Sequence, residues 1–274
     1  MIYLKTQFYT PIELNFINLN IAEAYDKVDG IIVTECDVHH TGRPNDFIFD
    51  DYKHMLNPEF MDKVIYLKCE LRDKAVDAYE PEKEHLIHKY NEPLMRGHFV
   101  KLMKFDDDDI IISVDGDEII YNESYDKIIE EVKKTNKVKI NLNQFFYRLN
   151  YHWINKDFIA PTAAKYKEYK NSYPNNWRYD GYLLKGKHGC HFSWCMKPED
   201  MLYKLDTYSH PIYRNCADIN ILTDAIKNKK YPFDPKIKFE IKEITLDNDI
   251  LPKSLRSNFF NDFRNEFFNK NIKI

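Results

Sequence analysis

The sequence predicts an α/β protein with a mixed, mainly parallel sheet flanked by helices. Two observations carry this prediction. Short runs of β-branched and apolar residues alternate with longer segments that have helical spacing of apolar residues, the pattern of α/β folds. In addition, residues 110–114 form an almost wholly apolar run, as expected for a strand buried on both faces of a parallel sheet.

In the first half of the chain, predicted helices and strands follow one another in order. The helices are predicted at residues 13–29, 82–105 and 125–134. The strands are predicted at residues 30–34, 64–67, 109–114 and 138–147.

The second half has a different texture. Residues 150–187 are rich in Tyr, Trp, Asn and Lys with little periodicity, so we expect loops and short strands there. A short strand is predicted at residues 189–194. A helix should begin at Pro198, because proline is favoured in a first helical turn. The remaining predictions are a helix at residues 218–227 and an aromatic segment at 252–273 that packs back on the domain.

No repeat, linker or low-complexity run divides the chain, which predicts one domain over residues 1–274 with halves at 1–147 and 148–274. The formal charge of -4 gives no general attraction to nucleic acid or anionic membranes. The amino terminus lacks a basic stretch followed by an apolar one, and no run approaches about 18 apolar residues. These features predict a cytoplasmic protein with no membrane span.

The five cysteines are odd in number and scattered, which fits reduced, mostly buried thiols. Cys190 and Cys195 flank His191, but no second cluster would complete a tetrahedral zinc site.

The most informative motif follows the strand predicted at residues 109–114. Asp115, Gly116, Asp117 and Glu118 leave its carboxyl end, where open α/β sheets bind their ligands. Two carboxylates with a turning glycine between them suit a hard divalent cation whose shell is completed by phosphate oxygens. Transferases that use nucleotide sugars need such a cation to neutralise the diphosphate leaving group.

Four segments occur in the order typical of one family. Residues 13–42 resemble the opening helix, strand and T-x-G loop of glycosyltransferase family 17, and Arg96 resembles its helical arginine. Residues 110–119 resemble its II-S-D-x-D-E-I core. Residues 189–210 resemble its GWH-x-SW, PE, KL and H block. Together these matches cover most of residues 13–255.

The chain departs from the family pattern at Cys190, where the family usually has Trp, and at Ile120, where it usually has Pro. The first departure concerns the sugar or acceptor preference. The resemblance implies a GT-A nucleotide-diphospho-sugar transferase fold and a divalent metal, Mn²⁺ or Mg²⁺. It also implies inverting transfer from a nucleotide-sugar donor, with UDP-GlcNAc the first expectation, to a glycan or glycoconjugate hydroxyl.

Under this resemblance Asp115 and Asp117 are the expected metal residues. Asp117 should hold the metal itself, and Asp115 should contact ribose or a metal-bound water. His191 and His210 compete as a further ligand, because a neutral imidazole suits manganese and a protonated one suits phosphate. The residues expected to bind the donor are Glu35, Arg96, Asp115, Lys204 and His210.

Glu35 ends the strand predicted at residues 30–34, where this fold receives the nucleotide base. Arg96 offers a planar fork for uracil or diphosphate oxygens. Either residue could instead form a structural ion pair.

An inverting transfer is a single displacement, so one carboxylate must take the proton of the acceptor hydroxyl. Glu199 is the first candidate and Asp200 the second, although acids in a first helical turn often only complement the helix dipole. Asp180 and Glu118 remain alternatives, and Glu118 could also orient Asp117. The aromatic residues that could stack on acceptor sugars are Tyr147, Tyr151, Trp153, Trp177 and Tyr179.

Three other functions remain open. The same catalysis could act on hydroxylated bases of viral DNA, with a basic face at Lys165, Lys167 and Lys170, although the net negative charge argues against nucleic acid. A non-catalytic sugar-nucleotide or glycan-binding protein would not need an intact D-x-D-E. A metal-dependent nucleotide hydrolase would need additional His/Asp pairs at metal-ligand spacing. The oligomeric state is not predicted.

Overall fold

The computed structural model describes residues 1–171, 178 and 180–268. Its described part contains ten strands in one sheet. The strands are β1 (Ile2–Phe8), β2 (Gly30–Cys36), β3 (Val64–Cys69), β4 (Ile110–Ser113), β5 (Glu118–Ile120), β6 (Lys137–Phe146), β7 (Tyr151–Lys165), β8 (Tyr182–Leu183), β9 (Gly189–Ser193) and β10 (Ile241–Glu243). The sheet order is β3-β2-β1-β4-β7-β6-β9-β5, with β8 beside β6 and β10 beside β7.

Helices lie between most of these strands. They are α1 (Leu14–Ala24), α2 (Phe49–Tyr52), α3 (Glu84–Leu86), α4 (Glu92–Gly97), α5 (Tyr125–Thr135), α6 (Tyr166–Asn171), α7 (Pro198–Thr207), α8 (Ile219–Lys227) and α9 (Asn261–Phe267). The predicted fold class, an α/β protein with a mixed sheet flanked by helices, is confirmed.

The parallel core of the sheet consists of β3, β2, β1 and β4. Every residue of β2 is buried, and Ile110 to Ile112 of β4 are buried as well, as a strand covered on both faces requires. The central strand β1 was missed by the sequence prediction. Its buried Lys5 and Gln7 interrupt the apolar pattern, and only its place between β2 and β4 buries them.

The two faces of this core are covered by different helices. On one face, Leu4, Ile31 and Ile112 pack with apolar residues of α1 and α5. On the other face, Tyr3, Ile32 and Ile111 pack with Phe99 and Tyr169, which lie after α4 and on α6. Alternate residues of each strand therefore point to opposite helical layers.

The prediction of loops and short strands over residues 150–187 is wrong for its first part. The 15-residue strand β7 runs through it and pairs antiparallel with both β4 and β6. Residues 154–157 of this strand are exposed, and the polar run from Asn155 to Asp157 hides the strand pattern. Because β7 lies between β4 and β6, the sheet is continuous across residue 147.

The long helix predicted at residues 82–105 is also wrong as one element. It is divided into α3, a π-helical turn at Ile87–Asn91, α4 and a 3-10 turn at His98–Lys101. Pro93 lies in the first turn of α4, where its missing N–H leaves a carbonyl of the preceding turn free. A wide π-helical turn thus lies directly before α4, the helix that carries Arg96.

The carboxyl-terminal segment packs back on the domain through residue 268, as predicted. Phe263 of α9 meets Phe16 of α1 edge to face, with ring centroids 5.1 Å apart, and Phe16 stacks on Phe192 of β9 at 5.8 Å. The five cysteines are free, and four of them are buried. Among the described residues, no helix combines the length and apolar character needed to cross a membrane.

Candidate functional site

The site is built on the turn that follows β4. The Val114 N–H donates to the Lys5 carbonyl at 2.9 Å and keeps the chain in register with β1. The Asn20 amide of α1 donates to the Gly116 carbonyl at 2.9 Å. Gly116 also passes close to β1, since a Cβ there would lie 3.3 Å from the Gln7 carbonyl oxygen. The turn that carries Asp115 and Asp117 is therefore fixed from two sides.

Strand β5 continues from this turn and pairs with β9, which places Glu118 opposite His191. Gly189 permits this pairing, because a Cβ there would meet the Ile119 carbonyl oxygen at 2.0 Å. The turn, β9 and α7 enclose a cavity of about 330 Å³. The predicted site residues on its wall are Arg96, Asp115, Asp117, Glu118, His191, Lys204 and His210.

Asp115 is held between two arginines. Both of its carboxylate oxygens accept from Arg96, one of them at 2.9 Å, and Arg178 donates to the same oxygen at 2.8 Å. Burial would raise the pKa of Asp115, but the Arg178 and Arg96 guanidiniums outweigh it and lower this pKa well below its ordinary value. Neither oxygen is left without a guanidinium partner.

Asp117 faces Lys204 of α7 and His191 of β9. Lys204 Nζ lies 3.3 Å from one carboxylate oxygen, and His191 Nε2 lies 3.6 Å from the other. His191 is oriented by Gln144, whose Oε1 lies 2.9 Å from its Nδ1. Burial raises the pKa of Asp117, but Lys204 and His191 outweigh it, so this pKa is lowered.

Glu118 supports the turn from within. Its side chain is buried, accepts the Asp115 N–H at 2.7 Å and pairs with Arg178. Burial raises the pKa of Glu118 above its ordinary value, against the field of Arg178. Because it is enclosed by these partners, its geometry suits positioning of the turn better than contact with an acceptor.

A chain of alternating basic and acidic side chains extends from Asp115 along one helical face. Arg96 donates to Glu92 at 3.0 Å, Glu92 lies 3.0 Å from His88, and His88 lies 3.6 Å from Glu84. Glu84 Oε1 in turn lies 3.0 Å from His210 Nδ1. The hydrogen bond to Glu92 raises the pKa of His88 despite its burial. Through these side chains, His210 is linked to Asp115 rather than to Asp117.

Possible metal ligands occur at two places on the described chain. Glu84, His88 and His210 offer ligand atoms that lie within 4.8 Å of one another. Asp117 and His191 form a second, smaller set of possible ligands at the turn that follows β4. The two sets share one cavity wall through His88, His210, Asp117 and His191.

Several residues predicted for the site lie away from the cavity. Glu35 is buried, and its carboxylate accepts the Ile48 and Phe49 N–H groups and the Tyr66 hydroxyl. It therefore holds the start of α2, and its oxygens are occupied by structural donors. This environment does not bring Glu35 to a nucleotide base.

Three of the four predicted base candidates lie outside the cavity wall, the exception being Glu118. Glu199 is exposed in the first turn of α7, and the adjacent Asp200 is only partly buried. Asp180 is exposed, accepts the Gly181 N–H and lies 3.9 Å from Lys137. None of the three lines the cavity that holds Asp117.

The aromatic residues proposed for sugar stacking divide into two groups. Tyr147, Tyr151 and Trp153 are buried in an aromatic cluster, where Trp153 meets Phe239 at 4.8 Å between ring centroids. Their faces are therefore covered by protein. Trp177 and Tyr179 lie outside the described residues.

The lysines considered as a basic face have acidic partners. Lys165 pairs with Asp108 at 3.0 Å, and Lys170 pairs with Asp107. Tyr169 is buried. These contacts neutralise two of the three lysines, so the geometry does not favour a nucleic-acid surface here.

Sequence reasoning missed many residues of the cavity wall, among them the charged residues Glu13, Glu92 and Arg178. Glu92 had a usable signal, because Glu84, His88, Glu92 and Arg96 recur at i, i+4 spacing. Glu13 reads as an ordinary acid at a helix start, and Arg178 lies in a segment without periodicity. Only the fold brings these two beside Asp115 and Asp117.

The fold and the site define an α/β protein with a densely charged cavity at the carboxyl ends of its strands. The family model of glycosyltransferase family 17 matches residues 8–225, which is most of the chain. The chain belongs to glycosyltransferase family 17. No curated protein matches it significantly.

Solved structures resemble the chain only distantly. The TarS 1–349 structure from S. aureus has 12% identity and a TM-score of 0.40, covering 74% of this chain and 62% of that one. TarS 1–349 in complex with UDP-GlcNAc has 11% identity and a TM-score of 0.30, covering 52% and 34%. Mannose-6-phosphate isomerase from Helicobacter pylori has 13% identity and a TM-score of 0.29, covering 55% and 53%. The family match therefore carries the assignment.

Proposed function

We propose that the protein transfers a sugar, with inversion, from a nucleoside-diphosphate sugar to a hydroxyl of a glycan or glycoconjugate. The observation that carries the proposal is the environment of Asp117, a cavity-lining carboxylate at the end of β4 with Lys204 and His191 beside it. A carboxylate can hold a metal, while the neighbouring Lys204 ammonium can stabilise the charge of a departing diphosphate.

The cavity also offers a neutral, aromatic region that suits a flat base. Tyr9 and His40 line it with ring centroids 5.1 Å apart. Burial lowers the pKa of His40 to about 4, so this imidazole is uncharged near neutral pH. A UDP-sugar, with UDP-GlcNAc as the first choice, is the donor we propose on the basis of family membership.

A divalent metal is part of the proposal, and the donor set at Asp117 fits one. The Asp117 oxygen and His191 Nε2 are 3.6 Å apart, and a carboxylate with a neutral imidazole suits Mn²⁺. Asp115 fits less well, because both of its oxygens are engaged by Arg96 and Arg178. We therefore assign metal binding to Asp117 and His191, and to Asp115 the task of fixing the two arginines.

The metal, when bound, would neutralise charge on the leaving diphosphate. The chain's own residues do the remaining work. Lys204 offers a positive charge to phosphate oxygens, and Arg178 fixes Asp115 and Glu118 on the same wall. Gln144 keeps His191 oriented through its Nδ1 and leaves Nε2 facing Asp117.

The proposal is tested by thermal unfolding with UDP in the presence of Mn²⁺ or of EDTA. UDP at about 100 times its Kd should stabilise the protein by about 2.7 kcal/mol with Mn²⁺ and much less with EDTA. The reason is that diphosphate and Asp117 repel each other unless a cation lies between them. Equal stabilisation in EDTA would contradict the metal assignment.

Activity is measured on the same preparation by release of nucleoside diphosphate from UDP-, GDP- and TDP-sugars. Slow release from one of these donors is expected even without acceptor. Stabilisation by UDP with no release from any donor, with or without glycan acceptors, would instead identify a sugar-nucleotide-binding protein.

A further inference from the structure

Glu13 lies on the cavity wall next to Gly116, which belongs to the turn that follows β4. It ends the 3-10 turn Pro11–Glu13 between β1 and α1, and its backbone N–H donates to the Thr10 carbonyl at 3.0 Å. The Tyr9 N–H donates to Glu13 Oε2 at 2.9 Å and fixes one carboxylate oxygen. The carboxyl group lies beside the turn that carries Asp115 and Asp117, since a Cβ on Gly116 would be 3.7 Å from Glu13 Cδ.

Glu13 differs from the other acids of the cavity in its partners. Glu92, Asp115, Asp117 and Glu118 each pair with an arginine or lysine. In the part of the chain that the structure describes, no cationic group lies within 4.0 Å of the Glu13 carboxylate. It is therefore the acid on this wall whose oxygens are least committed to the protein.

The proton affinity of Glu13 suits acid–base chemistry near neutral pH. Burial raises the pKa of Glu13 to about 7, although Lys204 and the Tyr9 N–H favour its charged form. On the same wall the pKa of Asp117 is lowered. Two carboxyl groups with opposite shifts in one cavity are the arrangement in which one acts as a charge and the other exchanges a proton.

We propose that Glu13 is the general base of the transfer proposed above, on which this inference rests. The Glu13 carboxylate takes the proton of the acceptor hydroxyl as that oxygen bonds to the anomeric carbon. The bond from this carbon to the diphosphate oxygen breaks, and the nucleoside diphosphate leaves with the electron pair. Glu13 then returns its proton to water.

The test compares Glu13→Gln with Glu130→Gln, which removes an exposed carboxylate on α5 that does not line the cavity. Glu13→Gln keeps the shape and the hydrogen bond from Tyr9 but cannot accept a proton. Transfer to acceptor should fall by about 10²- to 10⁴-fold, while donor affinity measured by calorimetry stays within a few fold. Glu130→Gln should change neither.

The pH profile supplies a second readout. In the wild type, transfer should rise with pH through about 7, because the base must be ionised, and this acid limb should disappear in Glu13→Gln. If Glu13→Gln does not fold, Glu13→Asp decides the matter: it keeps the ionisable group one methylene further back, and should transfer slowly with its acid limb intact.

The possible failures are distinguishable. Wild-type protein that binds no donor contradicts the proposed function itself. Donor binding with unchanged transfer in Glu13→Gln overturns the assignment of Glu13 alone. A fall in donor affinity as large as the fall in transfer would make Glu13 a donor-binding residue and overturn its role as the base.

Discussion

The carboxyl groups of Asp117 and Glu13 line the same cavity, but the groups that face them differ. Asp117 has Lys204 and His191 within 3.6 Å, which lower its pKa despite burial. Glu13 has a backbone N–H and a more distant lysine, and burial prevails. In this cavity the pKa of an acid therefore depends on its nearest cation as well as on its burial.

The largest expected effect comes from removing Arg96, the buried cation that pairs with both Glu92 and Asp115. Arg96→Met should lower the free energy of unfolding by about 3 kcal/mol, because Glu92 and Asp115 lose a buried partner while Arg178 remains. Urea denaturation measures it. The control Arg43→Met removes an arginine that is half exposed and should cost less than about 1 kcal/mol. Equal losses would mean that the buried pairing contributes nothing special.

Next in size is the effect of neutralising Asp117. Asp117→Asn should keep the fold but lower turnover by at least about a hundredfold, since the lost charge lies where leaving-group charge develops. The metal-dependent thermal shift with UDP should weaken as well. The matched control is Asp126→Asn on α5, whose side chain is 73% exposed. Turnover of Asp117→Asn near that of the control would reduce the motif to a structural turn.

A smaller effect is a difference between Glu13 and Asp117 in how their contributions to stability depend on pH. The raised pKa of Glu13 means that its contribution to stability is complete below about pH 4.5 and is lost as the pH rises through about 7. Relative to Glu13→Gln, the wild type should therefore lose about 2.5 kcal/mol between pH 5 and pH 8. Urea unfolding at several pH values measures this difference.

Asp117 should show the opposite sign in the same measurement. Its lowered pKa means that its contribution is present above the ordinary aspartate value of 3.8 and is lost as the pH falls through its folded pKa. The stability difference between wild type and Asp117→Asn should therefore shrink on acidification below about pH 4. Parallel pH dependences for the two variants would contradict the contrast between these environments.

The smallest effect is expected at Glu199, which shares only the helix of Lys204. Glu199→Gln should cost about 0.5 kcal/mol through the lost interaction with the dipole of α7, with nearly normal turnover. Calorimetry and product analysis check both. A hundredfold loss of transfer with unchanged donor affinity would move the base from Glu13 to Glu199.

The parallel strands β2 and β4 can be predicted from the amino-acid sequence alone, because their apolar runs fit a sheet covered on both faces. The same pattern places Asp115 and Asp117 at the carboxyl end of β4, and the resemblance to the family motifs indicates His191 and Lys204 as site residues. Local pattern was sufficient wherever burial made one kind of side chain necessary.

Other features of the fold and the site depend on contacts between residues that are far apart in the sequence. Strand β1 contains Lys5 and Gln7, and β7 has an exposed polar middle, so neither shows a strand pattern until its neighbours are known. Asp115 pairs with Arg178, and the pKa of Glu13 is influenced by Lys204; both partners are distant in sequence. Desolvation and Coulomb interactions act through distance in space, and the sequence does not contain those distances.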